Sequence, residues 1–148
     1  MPQIIVVLHN IRSTHNVGSI WRTCEGLGVE RIICSGFTAY PQTDNDPRLP
    51  HIADKLTAQI HKTALGAETM VPFDHMEEFN PSRLIADGYR IVGLELTPSS
   101  IPLRSYDVPP KSALVLGEEV SGISDEMLMM CDDTIEIPMR GEKESFNV

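Results

Sequence analysis

Three segments of the chain carry polar residues of the kinds that bind ligands or catalyse reactions. The first, HNIRSTHNVGSIWRT, places Asn16 six residues before Arg22, so that an amide and a guanidinium lie within two turns of a predicted helix and could overlook one cleft. The second, LGEEVSGIS, contains the adjacent carboxylates Glu118 and Glu119, a pair suited to acid-base chemistry or metal binding. The third, IPMRGEKESFNV, offers backbone amides and carbonyls that can hydrogen-bond an adenine edge.

Each of these segments also has a purely structural explanation. Asn16 is a common residue type at a helix N-cap, and the alkyl stem of Arg22 can cover a helix surface. Gly117 allows close approach to the backbone, but loop geometry alone explains it. Adjacent residues of an extended segment point opposite ways, so we expect only one of Glu118 and Glu119 to face a cleft. The third segment by itself is typical of a frayed tail.

The elements expected to position these segments alternate between strands and helices. Strands are predicted at residues 3–8, 30–34, 70–73, 90–96, 113–116 and 134–137. Helices are predicted at residues 16–27, 52–64, 74–87 and 124–130, with Asp74 and Ser124 as N-caps. Residues 37–50, which contain three prolines, predict a long irregular loop. The alternation indicates an α/β fold, a mainly parallel sheet with helices on both faces.

Length and composition predict one folded domain, residues 1–148, because 41% hydrophobic and 22% charged residues are typical of globular proteins. No apolar run approaches the roughly 20 residues that span a bilayer, and the first residues lack the features of a signal peptide. We therefore expect a cytosolic protein. Cys24, Cys34 and Cys131 are far apart and odd in number, which predicts buried free thiols rather than disulfides or a zinc site.

The formal net charge of −9 argues against a broad nucleic-acid-binding surface, because RNA binding normally draws on Lys and Arg to displace counterions. Any RNA site must therefore be a local basic patch. The candidate residues for it are Arg12, Arg22, Arg48, Lys55, Lys62, Arg140 and Lys143.

Taken together and in this order, the three segments resemble the signature motifs of the SpoU (TrmH-like) family, RNA methyltransferases within the SPOUT superfamily of knotted proteins. NIRSTHNVGSIWRTCEGLGV resembles the first motif, ALVLGEEVSGIS the second and CDDTIEIPMRGEKESFNV the third. The resemblance spans nearly the whole chain, and the presence of all three motifs in order is far more specific than any one match. It implies a SPOUT-type trefoil knot near the C-terminus, a rare exception to unknotted topology.

The resemblance also implies an activity, which is methyl transfer from S-adenosylmethionine to a ribose 2′-hydroxyl of tRNA or rRNA. It requires no metal, and it implies a homodimer without a separate RNA-binding domain. The residues that would bind the methyl donor, largely through their backbones, are Leu94, Gly117, Ile137 and Phe146, the last standing where leucine is usual. The residues of the catalytic group would be Arg22, Asn16, Glu119, Ser145 and Asn147.

The resemblance makes Arg22 the catalytic arginine, and its role follows from the chemistry of a guanidinium. With an ordinary pKa above about 12, this group is a poor general base near pH 7. We therefore expect Arg22 to orient the ribose and an adjacent phosphate, and to act as a base only if the site strongly depresses its pKa.

Relatives in this family continue past SFNV with a serine and an apolar helix that completes the knot, whereas this chain ends at Val148. We expect the last knot helix to be missing, either because the sequence is a fragment or because the protein has lost part of its cofactor site. Of these we favour a truncated sequence.

Two other functions stay open. One is a non-catalytic knotted dimer that binds RNA or a nucleotide. The other is an α/β hydrolase or phosphatase that uses Glu118, Glu119 and Asp125, although the sequence contains neither a GxSxG elbow nor a P-loop.

Overall fold

The computed structural model describes residues 1–147, and over this range seven strands form a single sheet flanked by helices. The strands are β1 (Gln3–His9), β2 (Arg31–Ser35), β3 (Phe73–Met76), β4 (Arg90–Leu94), β5 (Ile101–Pro102), β6 (Lys111–Leu116) and β7 (Asp133–Glu136). The helices are α1 (Thr14–Gly26), α2 (Pro50–Ala64), α3 (Ser82–Ala86) and α4 (Asp125–Met130), with two 3-10 turns at Ala67–Thr69 and Leu103–Ser105. Val148, which ends both the predicted domain and the third motif, lies outside the described residues.

The predicted α/β class is confirmed. The strand order is β3-β2-β1-β6-β4-β7-β5, and every neighbouring pair is parallel. The predicted trefoil knot, the missing last knot helix and the single domain stay predictions. Across residues 1–147 every helix is too short or too polar to cross a bilayer.

The sheet is buried on both faces because alternate side chains of its central strands point opposite ways. In β1, Val6 and Leu8 pack with residues of α1 and α2 into one core. On the other face, Ile5 and Val7 pack with residues of α3 and α4. Helices therefore cover both faces, as the sequence predicts.

The region between β2 and β4 differs from the prediction. The strand expected at residues 70–73 begins only at Phe73, because residues 73–76 form the parallel ladder with β2. Asp74, predicted as a helix N-cap, lies in β3 with its carboxylate 2.7 Å from Nη1 of Arg31. The helix expected at residues 74–87 is reduced to α3, which cannot begin earlier because Pro81 disfavours helical backbone at the preceding residue.

The irregular loop before α2 is confirmed, and Arg48 holds it together. Its guanidinium donates to both carboxylate oxygens of Asp46 and to the carbonyls of Tyr40 and Pro41, and it lies 3.7 Å from the centroid of the Tyr40 ring. Hydrogen bonds from Arg48 hold the pKa of Asp46 well below its ordinary value. Arg48 was a candidate for the basic RNA patch, but these contacts assign it to the loop instead.

The cysteines are free thiols, as predicted. Cys24 and Cys34 are buried, whereas Cys131 is only half-buried. Burial raises the pKa of Cys24 to about 12 and that of Cys131 to about 11, so both stay protonated at neutral pH.

Helices α1 and α2 approach each other closely at Gly18. A Cβ at this position would collide with Oγ1 of Thr63 and the carbonyl oxygen of Ile60. We expect Gly18→Ala to lower the free energy of unfolding, because overpacking costs about 1–3 kcal/mol and exceeds the roughly 1 kcal/mol gained in helix propensity. The matched control is Gly26→Ala in the same helix, where a Cβ meets nothing within 4 Å. Urea unfolding of both variants checks this, and equal stability of the two would contradict it.

Candidate functional site

A cleft of about 560 Å³ opens at the carboxyl ends of β1, β4, β6 and β7. Ligands of open parallel sheets bind at this edge, where the loops that follow the strands converge. Eight of the nine predicted site residues line the cleft, namely Asn16, Leu94, Gly117, Glu119, Ile137, Ser145, Phe146 and Asn147. The three sequence segments therefore meet in space. The exception is Arg22.

The first turn of α1 presents Asn16 to the cleft. Ser13, not Asn16, caps the helix, because Oγ of Ser13 accepts a hydrogen bond from the backbone N–H of Asn16 at 3.1 Å. The structural alternative that Asn16 is the N-cap is therefore wrong. The buried side chain of Asn16 instead donates from Nδ2 to Oε1 of Glu119 at 3.2 Å.

Glu119 joins the loop after β6 to the start of α1. Its Oε2 accepts from the backbone N–H of Arg12 and its Oε1 from that of Ser13, both at 3.0 Å. Burial by itself would raise the pKa of Glu119, but these hydrogen bonds and the one from Asn16 outweigh it and lower the pKa. The carboxylate is thus ionised at neutral pH and is occupied in holding two loops together.

Glu118 also lines the cleft, which corrects the prediction that only one of the two adjacent acids faces it. The extended backbone ends at Leu116, and a tight turn follows in which the N–H of Gly122 donates to the carbonyl of Glu118 at 2.8 Å. Alternation of side chains therefore does not apply here. The turn needs glycine at 117, because a Cβ there would lie 2.6 Å from the backbone of Gly122.

The Glu118 carboxylate stabilises the same turn. It accepts from the backbone N–H of Ser121 at 2.6 Å and from the Ser121 hydroxyl, and it lies 3.2 Å from Nε of Arg12. The hydrogen bonds from Ser121 lower the pKa of Glu118.

Glu95 is a residue of the cleft that sequence reasoning missed. It follows β4 directly, and its carboxylate accepts from the backbone N–H of Ile123 at 2.8 Å and from that of Leu96 at 3.0 Å. A Cβ at Gly122, whose φ is +71°, would collide with this carboxylate. The available signal was an acidic residue directly after a buried apolar run, at the end of a strand.

Arg22 lies on α1 but away from the cleft. From Asn16 to Arg22 the helix rotates by about 600°, so the two side chains lie about 120° apart around the helix axis. The Arg22 side chain is exposed, and within residues 1–147 no side chain or carbonyl pairs with it. The expectation that both residues overlook one cleft therefore fails within a single copy of the chain.

The other basic candidates do not line the cleft either. Arg12 borders it from the loop after β1, and Lys55 and Lys62 are exposed on α2. Arg140 and Lys143 are exposed beyond β7. Over residues 1–147, no group of three or more His, Cys, Asp or Glu side chains is arranged to hold a metal ion.

The sequence pattern of the SpoU rRNA Methylase family matches residues 3–148. This chain belongs to that family. Among curated members it is 39% identical over 146 residues to the tRNA (guanosine(18)-2'-O)-methyltransferase of Borreliella burgdorferi, a match that covers 96% of this chain and 59% of the relative. It is 29% identical over 145 residues to the enzyme of the same name from Aquifex aeolicus, with 98% and 63% covered. The chain therefore spans less than two thirds of either relative.

Solved structures of methyltransferases share the fold of this SpoU family member. The AdoMet-bound rRNA methyltransferase from Sinorhizobium meliloti superposes with a TM-score of 0.79 at 24% sequence identity, and the match covers 98% of this chain and 51% of that one. At this identity the likeness shows the fold alone. It places the sheet described above in the architecture of this family.

Proposed function

We propose that this SpoU family member transfers a methyl group from S-adenosylmethionine to a ribose 2′-hydroxyl of tRNA or rRNA. The observation that carries the proposal is the gathering of eight predicted site residues around one cleft at the carboxyl edge of the sheet. It is supported by family membership and by the names of two curated relatives, both tRNA (guanosine(18)-2'-O)-methyltransferases. A cytosolic location is part of the proposal.

The cleft residues fit the proposed methyl donor. A volume of about 560 Å³ lies within the range of about 300–1,000 Å³ that is usual for small-molecule sites. Leu94 and Phe146 offer apolar contacts, while the carboxylates of Glu95, Glu136 and Glu144 favour a ligand that carries positive charge. S-adenosylmethionine supplies, when bound, a methyl group on a positively charged sulfur.

The residues at the α1 side of the cleft are suited to hold the ribose. Glu119 and Asn16 fix the loop after β1 through the hydrogen bonds described above, and Ser145 and Asn147 are further polar residues of the same cleft. Methyl transfer is an in-line displacement, so fixing the hydroxyl against the methyl group supplies much of the rate. In this proposal Arg22 orients the ribose and an adjacent phosphate.

The position of Arg22 supports a homodimer as part of the proposal. Because Arg22 points away from the cleft of its own chain, a role at the ribose requires an arginine from a second copy of the chain beside that cleft. A symmetric dimer would also bring two copies of each small basic patch to the RNA. Sedimentation or light scattering at working concentration checks this, and a monomeric mass would contradict it.

Donor binding and RNA methylation test the proposed activity together. Calorimetry should show saturable binding of S-adenosylmethionine, and incubation with tRNA and rRNA should place the labelled methyl group on a ribose 2′-hydroxyl. Mapping ribose methylation in total RNA, with and without the gene, then identifies the nucleotide. RNA binding without donor binding or methylation would instead favour the non-catalytic dimer and overturn the proposal.

A further inference from the structure

A second, smaller cavity of about 230 Å³ adjoins the cleft. The two share Glu118, Ser121 and Gly122 of the turn after β6, and the loops after β1 and β2 close the other side of the smaller one. A ribose held near Asn16 and Glu119 would therefore lie beside this cavity. Any group attached to that ribose has room to enter it.

Phe37, just after β2, presents an exposed aromatic ring to the smaller cavity, with 58% of the residue accessible. An exposed apolar residue alone is common, but the backbone here is fixed. The N–H of Phe37 donates to Oδ1 of Asn10 at 3.0 Å, and both Asn10 and Gly36 have positive φ, of 56° and 63°. A Cβ at Gly36 would collide with the same Asn10 side chain, so contacts with Asn10 fix the backbone that carries the ring.

Arg12 lies beside the Phe37 ring. The central carbon of its guanidinium is 5.8 Å from the ring centroid, and Nε is 3.2 Å from Oε1 of Glu118. Most of the Arg12 side chain, 73%, is nevertheless accessible to solvent. An exposed aromatic ring and an exposed guanidinium plane are the groups on which proteins stack RNA bases.

The charged groups that line the cavity, Arg12 and Glu118, form an ion pair, and the remaining wall beside them includes a neutral imidazole. The His9 ring is half-buried and bonded to Oγ of Ser35 at 2.8 Å and to Nδ2 of Asn10 at 3.3 Å. Burial lowers the pKa of His9, which keeps the imidazole neutral. A neutral ring beside a paired guanidinium and carboxylate suits an uncharged aromatic group better than a phosphate, which the Glu118 carboxylate would repel.

We propose that this cavity binds the base of the nucleotide whose ribose is methylated, stacked against Phe37 with Arg12 beside it. The proposal rests on the proposed function, because it takes the ribose position from the neighbouring cleft. The size agrees, since about 230 Å³ is below the range of about 300–1,000 Å³ for whole small molecules and leaves room for a single base. Phe37 is thereby a residue that determines how tightly the target nucleotide is held.

Mononucleotide binding tests the base site without knowledge of the natural RNA. The probes are guanosine 5′-monophosphate, the other three ribonucleoside monophosphates, and ribose 5-phosphate, which lacks a base. Stacking on one aromatic ring predicts that wild-type protein binds its preferred nucleotide roughly 5- to 150-fold more tightly than ribose 5-phosphate in an NMR titration. Phe37→Ala should remove this preference, and Phe37→Trp should keep it.

The matched control is Leu27→Ala, because Leu27 is also apolar and exposed, with 73% of the residue accessible, but lies just after α1. It should retain the wild-type preference. With RNA as substrate, Phe37→Ala should raise KM for RNA and leave S-adenosylmethionine binding unchanged. A wild-type protein that does not distinguish nucleotide from ribose 5-phosphate, or a Phe37→Ala protein that still does, would overturn the base site. Absence of donor binding and methylation in the wild type would overturn the proposed function separately.

Discussion

Arg22→Ala is expected to slow methyl transfer by roughly 10²-fold to 10³-fold or more, because removal of one preorganised charged donor at a reacting centre typically costs this much. Donor affinity should stay nearly unchanged, since Arg22 does not line the cleft. Stability should also be nearly unchanged, because the side chain is exposed. Single-turnover methylation of RNA and calorimetry with S-adenosylmethionine measure the two effects separately.

Two variants make the Arg22 result specific. Arg83→Ala removes an exposed guanidinium from α3 and should leave the methylation rate as in the wild type. Arg22→Lys keeps the charge but loses the planar group that can donate two parallel hydrogen bonds. It should therefore recover only part of the rate if the guanidinium orients ribose and phosphate. Equal losses of donor binding and methylation in Arg22→Ala would show instead that Arg22 is structural.

Glu119→Gln is expected to weaken both the fold and the activity. All three hydrogen bonds to the carboxylate come from N–H donors. The NH2 group of a glutamine would therefore face at least one of these donors and could not accept its hydrogen bond. We expect the free energy of unfolding to fall by about 1–2 kcal/mol. This value takes into account that Glu119 is exposed to solvent, which weakens its hydrogen bonds. Methylation should fall by about 10²-fold, because small displacements of a positioned group have effects of this size.

The pH dependence of this stability loss distinguishes the carboxylate from the shape of the side chain. The pKa of Glu119 is lowered in the folded protein, so its stabilising effect is present above the unfolded pKa of about 4.3 and is lost as the pH falls through the folded value. Urea unfolding should therefore show a difference from wild type at pH 7 that shrinks below about pH 4. Glu142→Gln, at an exposed acid beyond β7, is the control and should unfold as the wild type does at pH 7.

Most of the fold could be predicted because the apolar sequences of its central strands are enough to indicate buried strands. The run from Gln3 to Leu8 is apolar on both faces, which is typical of a buried parallel strand, and the structure places β1 there. β3 could not be found in this way. It is short, partly exposed and at the edge of the sheet, and its backbone is fixed by the ladder with β2 rather than by its own residues.

The residues of the site could be predicted more completely than their contacts. The resemblance to the family implied nine site residues, and eight of them line one cleft. The sequence did not indicate that Ser13 caps α1, that Glu95 holds the turn after β6, or that Arg48 is bound within its own loop. Each of these depends on which backbone groups come within about 3 Å, and that follows only from the packed chain.

By itself, the amino-acid sequence determined the α/β class and most of the polar residues at the strand ends, because these follow from local periodicity and residue type. Only the tertiary structure decided which of these residues share a cleft. Asn16 and Glu119, 103 positions apart, meet there, whereas Asn16 and Arg22 on one helix do not. The reason is geometric: helix rotation separates neighbours in the chain, while a parallel sheet brings the ends of distant strands to one edge.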